Sequence, residues 1–233
     1  MNTILNIDTS TTVCSVALSA GGECLSMRKD ESGNNHSRVI GVFTQQLLQE
    51  ADSNGWKVAA VALSQGPGSY TGLRIGTSFA KGLCYGMNIP LIAIPTLKIM
   101  AWAVAQRLKA EGVHTDALLC PMIDARRMEV YSAVYDMELN EVEAVSAKII
   151  DHESFSDLLA NRKIYFFGNG SNKCKDAITS HNATFIDGVN PLATDMAVMA
   201  HEAYNKKEFA DVAYFEPFYL KDFIATKPKR LGV

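Results

Sequence analysis

Apolar and polar residues change rhythm several times along the chain, and each change marks an element. Thr3–Ile7 is an apolar run that ends at Asp8, and Val13–Ser19 alternates, with Cys14, Val16 and Leu18 on one face. Gly21-Gly22 makes a hairpin turn, and Glu23–Arg28 returns as a third strand. The period then lengthens. From Ser37 to Ala51 the positions Val39, Ile40, Phe43, Leu47, Leu48 and Ala51 keep helical spacing. A continuous apolar strand, Val58–Leu63, leads through a Gly/Pro loop into a helix over Thr71–Tyr85. A short strand over Pro90–Ile94 and a helix over Leu97–Lys109 complete the first half.

The second half follows the same plan. Leu118–Ile123 is a strand ending at Asp124, Met128–Tyr135 and Ala144–Ile150 are further strands, and Glu153–Ala160 is a helix. Ile164–Phe167 is a strand, Gly168-Asn169-Gly170 a glycine loop, and Ser171–Ser180 and Thr194–Lys206 are helices. Three strands, a helix, a strand, a glycine loop and a helix thus occur twice, each time with an aspartate closing the first strand. Two α/β lobes, residues 1–109 and 110–233, account for this better than one continuous sheet, with the last segment free to return to the first lobe.

Composition narrows the picture. The 233 residues are 48% hydrophobic, enough for a sizeable core in two lobes. A formal net charge of −3 argues against a strongly basic surface, so any tRNA contact is expected to be indirect. Five cysteines, widely spread and without a Cys-x-x-Cys pair, predict reduced and mostly buried thiols. The N-terminus lacks the pattern of a signal peptide, and no apolar run approaches the roughly 20 residues of a membrane helix. The expectation is a soluble cytoplasmic protein without membrane association.

Four motifs stand out. Asp8-Thr9-Ser10, at a strand end, offers either a seat for a phosphate and its counterion or a turn that satisfies its own backbone. Gly66, Gly68, Ser69 and Thr71 belong to a strand–loop–helix junction, Ser64 to Arg74, that either presents N–H groups to an anion or serves as a rigid turn. Its lack of Gly-Lys-Ser/Thr distinguishes it from a Walker loop. Gly72, Gly76 and Ala80 recur every four residues, and each glycine costs about 1 kcal/mol against alanine in a helix. That stripe predicts close approach by another helix, from this chain or from a partner. Asp124-Ala125-Arg126-Arg127 repeats the Asp8 placement, with arginines suited to phosphate or simply solvated. The five histidines never pair at i and i+4, no Gly-x-Ser-x-Gly elbow is present, and no residue is nominated as catalytic or metal-binding. Lys221, Lys227, Lys229 and Arg230 form a small basic tail.

Ile4–Ser10, His36-Ser37, Gln65–Arg74, Asp124–Tyr131 and Glu216–Leu220 together resemble the TsaB (YeaZ) family across nearly the whole chain. Gly-Pro-Gly-Ser-Tyr-Thr-Gly-Leu-Arg is the most specific stretch, while Met128 stands where that family more often has glycine. The resemblance implies an α/β fold of two ribonuclease-H-like lobes in the actin-like ATPase superfamily. It also implies a non-catalytic subunit of the machinery that places threonylcarbamoyl on the adenosine beside the anticodon in ANN-decoding tRNAs. Its partners would be a TsaD-type transferase and a TsaE-type ATPase, with homodimerisation in isolation and ATP or ADP at the partner interface as open points. TsaD-like enzymes carry a His-x-x-x-His metal motif on the helix that here begins Leu97-Lys98-Ile99-Met100, without histidine. The family's first-lobe helices meet the partner, which would place His36, Val39, Phe43, Gly72, Gly76 and Ala80 at the interface. The rival readings are an ATP-dependent small-molecule kinase of the same superfamily, a peptidase and a self-associating regulatory protein.

Overall fold

A computed structural model describes residues 1–33, 35–113 and 116–221. The elements run β1 (Asn2–Asp8), β2 (Cys14–Ala20), β3 (Glu23–Asp30), α1 (His36–Ser53), β4 (Lys57–Gly66), α2 (Tyr70–Met87), β5 (Leu91–Pro95) and α3 (Thr96–Ala110). They continue with β6 (Leu118–Asp124), β7 (Glu129–Tyr135), β8 (Glu141–Ile149), α4 (Ser156–Leu159), β9 (Ile164–Phe167), β10 (Ala183–Ile186) and α5 (Ala197–Lys206). The first sheet has the order β3-β2-β1-β4-β5 and the second β10-β9-β6-β7-β8. Each is a three-strand antiparallel meander followed by two parallel strands, so the second sheet repeats the first strand for strand. This is the ribonuclease-H-like order, twice, as in actin-like ATPases.

Parallel pairing of β1 with β4, and of β6 with β9, brings their C-terminal ends to the same edge of each sheet. Asp8 and the Gly66 loop therefore emerge side by side, as do Asp124 and the Gly168 loop. In open α/β sheets, that edge is where ligands sit.

Helices cover both faces of the first sheet. Ile40, Leu47 and Ala51 of α1 and Ala80 and Cys84 of α2 bury against Leu5, Ile7, Val16 and Leu63. On the opposite face Ile99 of α3 and Ala200 and Ala203 of α5 meet Ile4, Ala17, Ala60 and Ile92. The other side of α3, through Leu97, Met100, Ala101 and Val104, packs on Leu119, Ile123, Ala133 and Phe167 of the second sheet. So α3 lies between the sheets, and α5, from the end of the chain, belongs to the layer on the first.

Several expected elements differ. The helix expected over Ser171–Ser180 is a single 3-10 turn, Asn172–Cys174, followed by turns. Only Cys174 and Ile178 along it are buried apolar residues, which is too little to hold an amphipathic helix on the sheet. The helix expected over Glu153–Ala160 is one turn, Ser156–Leu159. A strand not anticipated, β10, adds to the edge of the second sheet beside β9. Four of the five cysteines are buried and Cys24 is exposed; all are free thiols. Lys227, Lys229, Arg230 and His114 lie outside the described residues.

Candidate functional site

The Asp8 turn is closed. Asp8, Thr9 and Ser10 have no exposed surface. The Asp8 carboxylate accepts from the Ser10 amide (3.1 Å) and from the Ser10 hydroxyl (3.0 and 3.2 Å to its two oxygens). Burial pushes its pKa up to about 7; the neighbouring Ser64 hydroxyl, short of a regular hydrogen bond, and the two Ser10 donors pull the other way. Asp195 adds repulsion and is itself raised to about 6, chiefly by burial. Asp195 sits in a 3-10 turn, Ala193–Met196, docked on β2 where the Ala193 amide donates to the Ser15 hydroxyl (2.9 Å).

The lid on this turn is α2. The Thr9 hydroxyl donates to the Gly72 carbonyl (2.8 Å), and the Ser69 amide donates to the Ser10 carbonyl (2.7 Å). A Cβ added at Gly68, Gly72 or Gly76 would collide with the Ser10 carbonyl, the Thr9 carbonyl or the Thr9 hydroxyl, respectively. Ala80 continues the stripe into the core beneath the helix. Here is the close neighbour that the stripe required: the strand-end turn of this same chain, rather than a partner's helix. Gly72, Gly76 and Ala80 are all buried within the chain, so this stripe of α2 packs inward. The same packing covers Asp8, Thr9 and Ser10, which have no exposed surface.

Other candidate residues separate in the same way. His36 is buried, its Nε2 2.9 Å from the Thr11 carbonyl, and Val39 and Phe43 are half-buried against the core of the first sheet. Gly66 takes a φ of +111°, and a Cβ there would meet the Phe218 carbonyl 2.6 Å away, so the position needs glycine twice over. Its amide donates to the Thr96 hydroxyl (3.1 Å). Gly68, Ser69 and Thr71, by contrast, line an open cleft of about 910 Å³ between the lobes. Across it stands the β6–β7 turn with Asp124, Arg126 and Arg127; Tyr219 and Lys221 of the tail form a third wall. The tail is held there by the Phe218 amide donating to the Gln65 carbonyl (2.7 Å), by Tyr219 against Tyr70 (ring centroids 5.1 Å apart) and by Lys221 paired with Glu129 (2.5 Å).

Asp124 occupies the place of Asp8 in the second lobe but stays exposed and is ion-paired to Lys173. Its amide donates to Asn169 of the glycine loop (2.9 Å). Among the described residues no three His, Cys, Asp or Glu side chains converge as a metal site. In the sequence Ser64 is only the first residue of the Ser64–Arg74 junction, and Asp195 belongs to no motif. A serine inside an apolar strand and an acid before a helix are ordinary, and only the fold brings them to Asp8.

The outward face of the first-lobe helices is made of other residues. Gly41 and Val42 on α1 and Ser78, Gly82, Tyr85 and Gly86 on α2 are exposed, Tyr85 at 87% and Val42 at 51%. A Cβ at Gly82 or Gly86 would meet nothing within 4 Å.

The molecule is thus a two-lobed protein of the actin-like class whose first-lobe seat is filled by its own helix. Residues 30–229 match the family model described as "TsaD: tRNA N6-adenosine threonylcarbamoyltransferase". The tRNA threonylcarbamoyladenosine biosynthesis protein TsaB of Escherichia coli (strain K12) is 32% identical over 232 residues, 96% of each chain. That of Bacillus subtilis (strain 168) is 30% identical over 227 residues, 94% of each chain. A solved structure from Pseudomonas aeruginosa, described as similar to peptidase YeaZ, superposes with a TM-score of 0.78 at 25% identity, covering 95% of this chain and all of that one. The chain belongs to this threonylcarbamoyltransferase-related family and, within it, to the TsaB (YeaZ) branch. No helix among the described residues is long and apolar enough to cross a membrane.

Proposed function

We propose that this chain is a non-catalytic, cytoplasmic subunit that binds a TsaD-type transferase and supports threonylcarbamoylation of the adenosine beside the anticodon in ANN-decoding tRNAs. The observation that carries it is the outward face of α1 and α2. Gly82 and Gly86 leave backbone uncovered, and Tyr85 and Val42 stand exposed beside them. Glycines permit a second helix to approach closely, and apolar area removed from water there contributes about 25 cal/mol per Å². The full-length relatives named for threonylcarbamoyladenosine biosynthesis direct the choice of partner. A sealed Asp8 supports the non-catalytic part, because the first-lobe seat offers no carboxylate to a substrate. A TsaE-type ATPase and an ATP or ADP at the partner interface belong to the same proposal. In isolation, the same helical face would serve a second copy of the chain.

The test is reconstitution with the TsaD-type transferase, its ATPase partner, threonylcarbamoyl-adenylate and tRNA from one organism. Modification should require this chain together with the transferase. Undiminished modification when the chain is left out would overturn the subunit role, and transfer by the chain alone would overturn its non-catalytic character.

A further inference from the structure

The inter-lobe cleft carries charge that has no partner among the described residues. Arg126 and Arg127 stand side by side on the β6–β7 turn at its wall, both exposed. Among the described residues neither guanidinium has a hydrogen-bond or ion-pair partner. The other charges of that wall are paired off internally, Asp124 with Lys173 and Glu129 with Lys221. Both arginines hold left-handed backbone, φ +74° and +48°, which non-glycine residues seldom adopt, and two in succession are rarer still. Aromatic rings share the cleft with them: Tyr70 and Tyr219, in mutual contact, with Tyr131 and Phe218.

We propose that this cleft mouth binds single-stranded RNA, with backbone phosphates on Arg126 and Arg127 and bases on the tyrosine rings. Unpaired arginines beside aromatics that are half-buried (Tyr70, Tyr131, Tyr219) or exposed (Phe218) are a combination that holds a single strand, since guanidinium forks match phosphate and rings stack on any base. A compact nucleoside triphosphate is the weaker occupant. The first-lobe carboxylate, Asp8, is sealed beneath α2, and the accessible positive charge is that of Arg126 and Arg127 on the lining turn. The net charge of −3 does not oppose RNA binding, because contact at a phosphate depends on the local pair. The inference rests on the reading of the chain as part of a tRNA-modifying assembly and adds a direct RNA contact to it.

The experiment is fluorescence anisotropy with labelled unfractionated tRNA across roughly 50–200 mM salt, using the chain alone and with the transferase. The variant is Arg126→Gly/Arg127→Gly, which removes both charges while suiting the left-handed backbone, so its melting temperature should not fall. We expect tRNA binding to weaken about tenfold or more, and the slope of log affinity against log salt to shrink by about one to two. Unchanged binding by the double variant, or no binding by the wild-type chain in either setting, would overturn the inference. So would loss of ATP binding in the variant with tRNA binding intact, which would make the cleft a mononucleotide site. Failure of the transferase to associate would count against the subunit role alone, since the isolated chain still carries both arginines.

Discussion

The two lobes share a strand order, an aspartate at the end of the first strand and a glycine loop beside it, yet they treat that aspartate in opposite ways. Asp8 has no exposed surface and a pKa raised to about 7, whereas the Asp124 side chain is 46% exposed and paired with Lys173. The helix after each loop makes the difference. In the first lobe it is α2, 18 residues long, and Gly72 and Gly76 let it lie directly on Thr9. In the second lobe it shrinks to the 3-10 turn Asn172–Cys174, which reaches the sheet through Cys174 and leaves Asp124 at the cleft. A repeated frame fixes where a carboxylate emerges. The length and side-chain size of the next segment decide whether anything can reach it.

Three substitutions would break or sharpen that contrast. The largest effect is expected from Gly76→Leu, which drives a branched side chain into Thr9 and Leu63. Overpacking of this kind costs roughly 3 kcal/mol or more, since the obstacle includes a strand-end turn that cannot yield. Urea denaturation should show it, and near-wild-type stability would mean that α2 does not rest on the turn as described.

Next is Asp8→Asn. Burial raises the Asp8 pKa above its unfolded value, so the folded state holds the extra proton. Stability is full below about pH 4 and declines as pH rises to about 7. Asparagine removes that decline. The variant should match the wild type at pH 4 and exceed it by roughly 2–4 kcal/mol at pH 8. A smaller slope of the same sign should remain from Asp195, raised to about 6. A wild type with no decline between pH 4 and 7 would contradict the buried state of Asp8. The smallest effect belongs to Asp124→Ala, which removes a solvent-exposed ion pair and should cost less than about 1 kcal/mol. A loss as large as that of Gly76→Leu would show that the second-lobe aspartate is structural after all.

Much of the fold was legible because β1, β2 and α1–α3 carry long, clean periods, and because an aspartate ends β1 and β6 alike. The second lobe was less so. Strand β10 is four residues of intermediate burial with no alternation to mark it, and the Ser171–Ser180 stretch mixes helix-forming residues with too few apolar anchors. At the site, glycines every four residues announced a close contact but not its owner. Whether Gly76 faces a partner or Thr9 depends on how α2 is rotated over the sheet, which is set by Leu73, Ala80 and Cys84 burying together. The outward stripe Ser78, Gly82 and Gly86 has the same spacing, so one helix carries two small-residue faces that look alike in sequence.

The most direct test of the account separates those two faces. Size-exclusion chromatography with light scattering should be run on the chain mixed with the TsaD-type transferase, as wild type and as Gly82→Leu. The account predicts a one-to-one complex for the wild type and two separate species for a Gly82→Leu chain that melts like the wild type. A complex formed equally by both would contradict the assignment of the outward face of α1 and α2 to the partner, and no complex for either would contradict the subunit role itself.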